Sequence, residues 1–376
     1  MQKESCLKLE IILLKGVYNM VSFIISIDTS FAMSNNFFSL FLNERFVKES
    51  EVVVILDGIS NIELIHYIER LAKENSNIRL IKSEKVGYGK ANNIAVKHSV
   101  GEYLFFINCD IFVENGCFEK MFDVLVSGRA DCVQPLLIYP QSNLVQCAGA
   151  FFGLYYKDHL FDGNKIDDPI VQQEGKRQAL TSALYAMKKS TFLEFGGFDE
   201  FYYNKLEGFE LSYKISLAGK TCLYLPSAKA WHSRGGGRKQ YSFDFRQQEA
   251  YFWSRFGNTI KEDFSFYINM QLPNISCTQP YYTIILNQLR TWKEMLSKTN
   301  LHIQELIEMP WTSPGTFNLW DIFPNELLTY NGNLLLIVEN ISYLKNNHYW
   351  FSVRNNPNDI AMDRYANVVN IMNYIS

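Results

Sequence analysis

The residues of this chain that could do chemistry stand where apolar runs stop abruptly. Tyr103 to Asp110, YLFFINCD, opens with five apolar residues and closes on Asn108 and Asp110. Such a run is too short to span a bilayer and too unbroken for a half-exposed strand, so it reads as a central strand buried on both faces. Ligands of open α/β sheets bind beyond the carboxyl ends of such strands, where an acid can hold a metal or a cofactor. A lone strand-end Asp can equally open a turn. VSFIISID stops in the same way at Asp28, and EVVVILDG at Asp57 and Gly58. Further on come the loop EKVGYGKANN with Gly87, Gly89, Lys90 and Asn93, then the acidic stretch Glu207, Gly208, Phe209, Glu210. His232 follows the run TCLYLP, and Arg234, Arg238 and Lys239 are spaced by glycines in SRGGGRKQ.

The intervening segments supply the elements that must position these groups. After VSFIISID a helix is expected over Ser34 to Val47, and after EVVVILDG another from Asn61 to Lys73. NIRLIKS is a third strand, and a helix runs to about His98. Strand and helix alternating at this spacing argue for right-handed βαβ units on a mainly parallel sheet. The loops carrying Asp28, Asp57, Gly87 to Asn93 and Asp110 then converge on one sheet edge. Neither GxGxxG nor GxxxxGK[ST] occurs there, which disfavours a Rossmann oxidoreductase or a P-loop kinase. Beyond Asp110 a helix is expected over Gly116 to Val126, with strands at ADCVQPLLIY, LVQCAGAFFG, ALYAMKK and TCLYLP. Glu207 to Leu217 reads as an amphipathic helix ended by Gly219. Both of its glutamates lie near its N-terminus, where they also favour the helix dipole.

The whole chain, 376 residues and 47% hydrophobic, suits a main domain with an appendage. A net charge of −3 and a pI near 6.1 give no general drive toward nucleic acid. No apolar run reaches membrane-spanning length, and Glu4, Lys8, Glu10 and Lys15 interrupt any leader, so a cytoplasmic protein is expected. The seven Cys show no CxxC pair, so neither a disulfide framework nor a structural zinc site is indicated.

Taken together, VSFIISID, VVVILDG, VGYGKANN, GEYLFFINCD, GGFDE, EGFELSYKISLAG and AWH resemble the inverting glycosyltransferases of family 2. That resemblance covers about residues 21–256 and implies the α/β GT-A fold, a Rossmann-like, mainly parallel central sheet flanked by helices. ANN and FINCD are most similar to the rhamnosyltransferase-like branch that builds bacterial surface polysaccharides. Residues 1–20 would be an N-terminal extension and 257–376 a C-terminal accessory region, expected to be mostly helical. YYTIILNQLRTWKEMLSKTNLHIQELIE there reads as one or two helices, and LLLIVEN and HYWFSVRN as strands.

The resemblance also implies a chemistry. Sugar transfer from a nucleotide diphospho-sugar, of UDP or dTDP type, releases a charged diphosphate that a divalent metal stabilises. Asp110 resembles the last Asp of the family's DxD motif, with Asn108 in place of the first. His232 matches a His that completes the metal shell in several relatives, and Mn2+ or Mg2+ would suit the set. Asp57 resembles the Asp that reads the base, Gly87 and Gly89 admit a close backbone, Lys90 could reach a phosphate, and Asn93 matches an Asn of the following helix. Arg234 and its neighbours would form a lid over the diphosphate. Asp28 stands where the family has an aromatic residue or Asn, so no role is read for it.

The acidic helix departs from the pattern, because the family's base position is Gly208. Glu207 can serve instead, Glu210 can do so from one turn away, or the enzyme retains configuration as relatives with Asn here do. Glu207 is the preferred base. The acceptor would be a glycan, glycolipid or glycoprotein; nucleic acid is not expected, while peripheral membrane contact at the inner face and self-association are both compatible. A catalytically inactive domain that binds nucleotide or glycan as a scaffold is the other class of reading.

Overall fold

The computed structural model describes residues 20–233, 245–275, 280–286, 289, 291–308, 319 and 327–376. Arg234 and the glycine-rich segment lie outside the described residues, as do residues 1–19. The chain forms two compact units, Met1–Asn143 with Glu174–Thr259, and Leu144–Gln173 with Ile260–Ser376.

The first unit begins with β1 (Val21–Ile27), α1 (Phe31–Phe41), α2 (Arg45–Lys48), β2 (Glu51–Asp57), α3 (Ile62–Glu74) and β3 (Ile78–Ser83). It continues with α4 (Tyr88–His98), β4 (Tyr103–Ile107), β5 (Ile111–Val113), α5 (Cys117–Val126) and β6 (Cys132–Ile138). The short strands β7 (Val145–Cys147), β8 (Ala150–Gly153) and β9 (Tyr156–His159) belong to the second unit. The first resumes with β10 (Gly175–Lys176), β11 (Leu184–Lys188), α6 (Lys189–Glu194), α7 (Glu207–Leu217), β12 (Cys222–His232) and α8 (Phe245–Phe256).

Its sheet has the order β10-β12-β6-β11-β4-β1-β2-β3, with β5 added against β12. β1 lies parallel between β2 and β4, β3 lies parallel to β2, and β11 runs antiparallel to both β4 and β6. Helices start where short polar side chains can accept the first unpaired amides: Ser30 receives Met33 N–H and Asn61 receives Leu64 N–H at 3.0 Å. The fully apolar strands bury both faces. Phe23 of β1 meets the rings of Phe41, Phe46, Phe105 and Phe118 at centroid distances of 5.1, 6.1, 5.2 and 4.8 Å. On the other face Ile24, Phe106, Tyr185, Phe198 and Leu211 join one cluster, which fixes α7 against the sheet.

The second unit completes the chain with α9 (Phe264–Gln271), β13 (Tyr281–Leu286), α10 (Trp292–Leu296), β14 (Ile303–Glu308), β15 (Asn333–Val338), α11 (His348–Arg354), β16 (Ile360–Asp363), β17 (Val368–Asn370) and α12 (Ile371–Ile375). Helices are present as expected, but they surround a five-stranded sheet of order β14-β13-β15-β16-β17. YYTIIL is a strand rather than helix, because it pairs in parallel with both β14 and β15, and HYWFSVR is the helix α11. Short apolar runs do not distinguish the two states until their partners are known.

Candidate active site

β4 carries the chain to Asn108 and Asp110, and β12 carries it to His232. The pairing of β5 with β12 sets His232 opposite Ile111, and Ser233 N–H donates to Asp110 O at 3.0 Å. These two strand ends bring His232 Nε2 to 3.2 Å from Asp110 Oδ1, with side chains only 9% and 13% exposed. A carboxylate and an imidazole converging on one point form a donor set that fits Mn2+ or Mg2+. No third His, Cys, Asp or Glu closes the set among the described residues. The remaining ligand positions would therefore fall to water or to a ligand's oxygens. Asn108 sits beside this pair, with its backbone N–H donating to Ala183 O at 2.9 Å and its own carbonyl accepting Ile111 N–H at 3.2 Å.

The neighbouring strand ends are aligned by register. Ile27 of β1 pairs with Leu56 of β2, so the next residues, Asp28 and Asp57, are level. Ile24 of β1 pairs with Phe106 of β4, so the loops after these two strands leave the same edge of the sheet. The buried Cys109 thiol responds to that neighbourhood: burial first, then Asp110 and Asp28, push its pKa well up.

Asp57 is 1% exposed and fully engaged. Its carboxylate accepts Val86 N–H at 2.6 Å and Gly87 N–H at 3.1 Å, and Lys85 Nζ lies 2.9 Å away. It thereby anchors the turn into α4. Gly87, at φ 86°, is needed in that turn, since a Cβ there would come within 2.7 Å of the Tyr203 ring. Gly89 admits α7, because a Cβ on it would lie 2.9 Å from Glu207 Cγ. Asn93 and Lys90 both have partners within the protein. Asn93 donates to Phe198 O at 2.9 Å and accepts Phe198 N–H at 3.0 Å, which ties α4 to the GGFDE turn. Lys90 is half exposed with Nζ 3.6 Å from Glu200.

The two glutamates of α7 part company. Glu207, 2% exposed, accepts Asn204 N–H at the start of the helix. Glu210, 0% exposed, has both carboxylate oxygens on Arg255 Nη1, at 3.0 and 3.1 Å, and Lys214 Nζ at 3.5 Å. Arg255 also holds Asp199 at 2.6 Å. Glu210 is therefore held in an internal ion pair. At Gly208 an added Cβ would lie 2.1 Å from Ser182 Cβ, so no side chain fits at the expected base position. Ser182 is itself held by Tyr88, whose hydroxyl donates to Ser182 O at 2.9 Å.

Three participants have no local signal in the sequence: Ser182, Lys85 and Asn204. Lys85 bridges Asp57 and Asp28, with Nζ 3.3 Å from Asp28 Oδ2. Asn204, left-handed at φ 61°, accepts Tyr88 N–H at 2.7 Å and donates to Asp28 Oδ2 at 3.3 Å. Only the left-handed tolerance of Asn offered a hint.

Residues 39–174 match the family model described as Glycosyl transferase family 2. The putative polypeptide N-acetylgalactosaminyltransferase 10 of Drosophila melanogaster is 25% identical over 205 residues, 51% of this chain and 32% of that protein. The chain thus spans about a third of the curated relative it matches. Among solved structures, GalNAc-T7 with UDP, GalNAc and Mn2+ is similar at a TM-score of 0.53 and 15% identity, over 76% of this chain and 55% of that one. The mannosyltransferase PcManGT from Pyrobaculum calidifontis, with GDP-Man and Mn2+, has a TM-score of 0.46 and 14% identity over 65% of each chain. Residues 39–174 are thus similar to the family 2 glycosyl transferases, and the chain shares the fold of GalNAc-T7 over 76% of its length.

Proposed function

We propose that this chain transfers a sugar from a nucleotide diphospho-sugar to a hydroxyl of an acceptor. The observation that carries the reading is the Asp110–His232 pair, 3.2 Å apart at the carboxyl edge of the sheet. Held there, a divalent cation would neutralise charge gathering on the departing diphosphate. Asp57 keeps the turn before α4 in place, and that turn borders the same edge.

Glu207 takes the acceptor proton in an inverting displacement. Its oxygen is oriented by Asn204 N–H at the start of α7. A second reading is transfer with retention of configuration, which needs no carboxylate at this point. The space closed by Ser182 at Gly208 favours it.

The acceptor is a glycan, a glycolipid or a glycoprotein; the name of the Drosophila relative points to a polypeptide, and the rhamnosyltransferase-like motifs point to a bacterial surface polysaccharide. The described residues include no helix long and apolar enough to cross a membrane. A peripheral place at the inner face of a membrane would then bring the chain to a lipid-linked acceptor.

The test is donor consumption with Mn2+ and UDP-, dTDP- and GDP-sugars, offered peptide and glycan acceptors, with the anomeric configuration of the product read by NMR. Glu207→Gln should lower turnover about a hundredfold to ten-thousandfold at unchanged donor affinity. Glu210→Gln should chiefly lower stability. An inverted product with full activity in Glu207→Gln would remove Glu207 from the base role, and a retained product would select the second reading. Nucleotide binding with no donor ever consumed would leave a binding scaffold in place of an enzyme.

A further inference from the structure

We propose that Arg255 is a positioning residue for Glu207, because one nitrogen of its guanidinium staples together the two sides of the segment that carries this carboxylate. The inference rests on the reading of Glu207 as the base and names what holds that base in place. Glu207 opens α7, and the residues before it, Asp199 to Leu206, belong to no helix or strand. Their conformation needs outside support, since Asn204 is left-handed at φ 61°, which a non-glycine residue adopts at a cost. Glu207 accepts the N–H of that same Asn204. The carboxylate is only as well placed as the turn.

Contacts from α8 fix that turn. Gln248, Tyr251 and Arg255 recur at i, i+3 and i+7, so they share one face of the helix. Gln248 Oε1 accepts Tyr203 N–H at 2.8 Å, the Tyr251 hydroxyl donates to Asp199 at 3.1 Å, and Arg255 Nη1 lies 2.6 Å from Asp199 Oδ2. The same Nη1 meets both oxygens of Glu210, at 3.0 and 3.1 Å. Asp199 precedes Glu207 in sequence and Glu210 follows it, so one cation closes the chain around the base.

The staple is itself held still. Phe252 and Phe256 of α8 pack on Phe209 and Tyr213 of α7 at centroid distances of 5.6 and 5.4 Å. Without the guanidinium, Glu210 turns to Lys214 at 3.5 Å and Asp199 to Tyr251, so the two sides part toward different partners. A shift of about 1 Å in a reacting group costs on the order of a hundredfold in rate.

Two measurements on the full chain test this. Hydrogen exchange reads the turn without substrate: in Arg255→Gln the amides of Tyr203 and Asn204 should exchange at least about tenfold faster, while those of β1 and β4 keep their rates. Turnover of UDP-, dTDP- and GDP-sugars with Mn2+ reads the base. Arg255→Gln should lower kcat about a hundredfold and change the donor KM less than about threefold. Arg255→Lys should stay within about tenfold of the wild type, because the contacts converge on one nitrogen that an ammonium can replace. Adding Asp199→Asn to Arg255→Gln should cost less than about threefold more, since the two act as one unit. Should Arg255→Gln not fold, Asp199→Asn alone is read in the same two ways and should lose about tenfold in kcat. Asp363→Ala, in the second unit, is the control for lost stability and should keep kcat within about threefold below its melting temperature. Unchanged exchange at Tyr203 and Asn204, a loss of kcat no greater than in Asp363→Ala, or an Arg255→Lys as slow as Arg255→Gln would each overturn the staple. If the wild type consumes no donor, faster exchange in Arg255→Gln keeps the staple while the sugar-transfer reading falls.

Discussion

In both units a parallel strand delivers an acid at its carboxyl end, yet the acids have different surroundings. In the first unit Asp110 meets one imidazole, and Asp28 keeps an oxygen without a described partner. In the second, Asp363 at the end of β16 is 0% exposed and saturated. It accepts N–H groups from Ile341 at 2.9 Å, Tyr365 at 2.9 Å and Asn367 at 3.1 Å, and the Asn367 amide at 3.0 Å. Nearby Asp359 is matched in the same manner by Arg354, at 2.6 and 3.1 Å. Position at a strand end therefore nominates a carboxylate, and the donors already on it decide whether it can serve a ligand.

That difference can be broken by removing one acid from each sheet. Asp110→Ala should cost about a hundredfold to a thousandfold in turnover, because it removes half of the pair proposed to hold the cation. Its melting temperature should fall less than that of Asp363→Ala, since the Asp110 carboxylate has one described side-chain partner where Asp363 accepts four N–H groups. Asp363→Ala should do the reverse, destabilising the chain by roughly 3–5 kcal/mol by leaving three backbone donors buried and unpaired. Chemical denaturation beside donor turnover reads both effects. Equal loss of stability in the two variants would erase the contrast.

A smaller effect sharpens the account of α7. Gly208→Ala should cost about 2 kcal/mol, as overpacking against Ser182 does in other cores, and Ser182→Gly in the same chain should recover much of it. If Gly208→Ala is neutral, Ser182 moves easily and the closed base position loses its physical cause.

The legible part of this molecule is the part written in local pattern. VSFIISI, EVVVILD and YLFFI read as buried strands because each is apolar without interruption, and α7 was bounded by its periodicity and by Gly219, at φ 82°. The loops that carry Asp110 and His232 were legible for the same reason. Their partners were not. Lys85 is 57 residues from Asp28, Asn204 is 176 residues from it, and Arg255 is 45 from Glu210. Only the sheet order brings these charges together, so nothing adjacent in sequence revealed the internal partners of Asp57, Asn93 and Glu210. YYTIIL failed as a helix for a related reason, since its state was set by strands on both sides.

The smallest expected effect concerns pH and belongs to the second unit. Burial lifts the Asp363 carboxyl from an ordinary value of 3.8 to about 7, against the N–H groups that pull it down. A raised folded-state value means that the native chain binds this proton more tightly than the unfolded chain does. The resulting stabilisation is complete below about pH 4 and is lost as pH rises through about 7. Other carboxylates act in the opposite sense at low pH, so the clean window is pH 6 to 8. There, unfolding free energy should fall by on the order of 1 kcal/mol as the pH is raised. Asp363→Asn, which cannot titrate, should flatten that slope even though it loses one acceptor. A slope that survives in Asp363→Asn would place the proton elsewhere, and Asp363 would then be a plain ionised anchor.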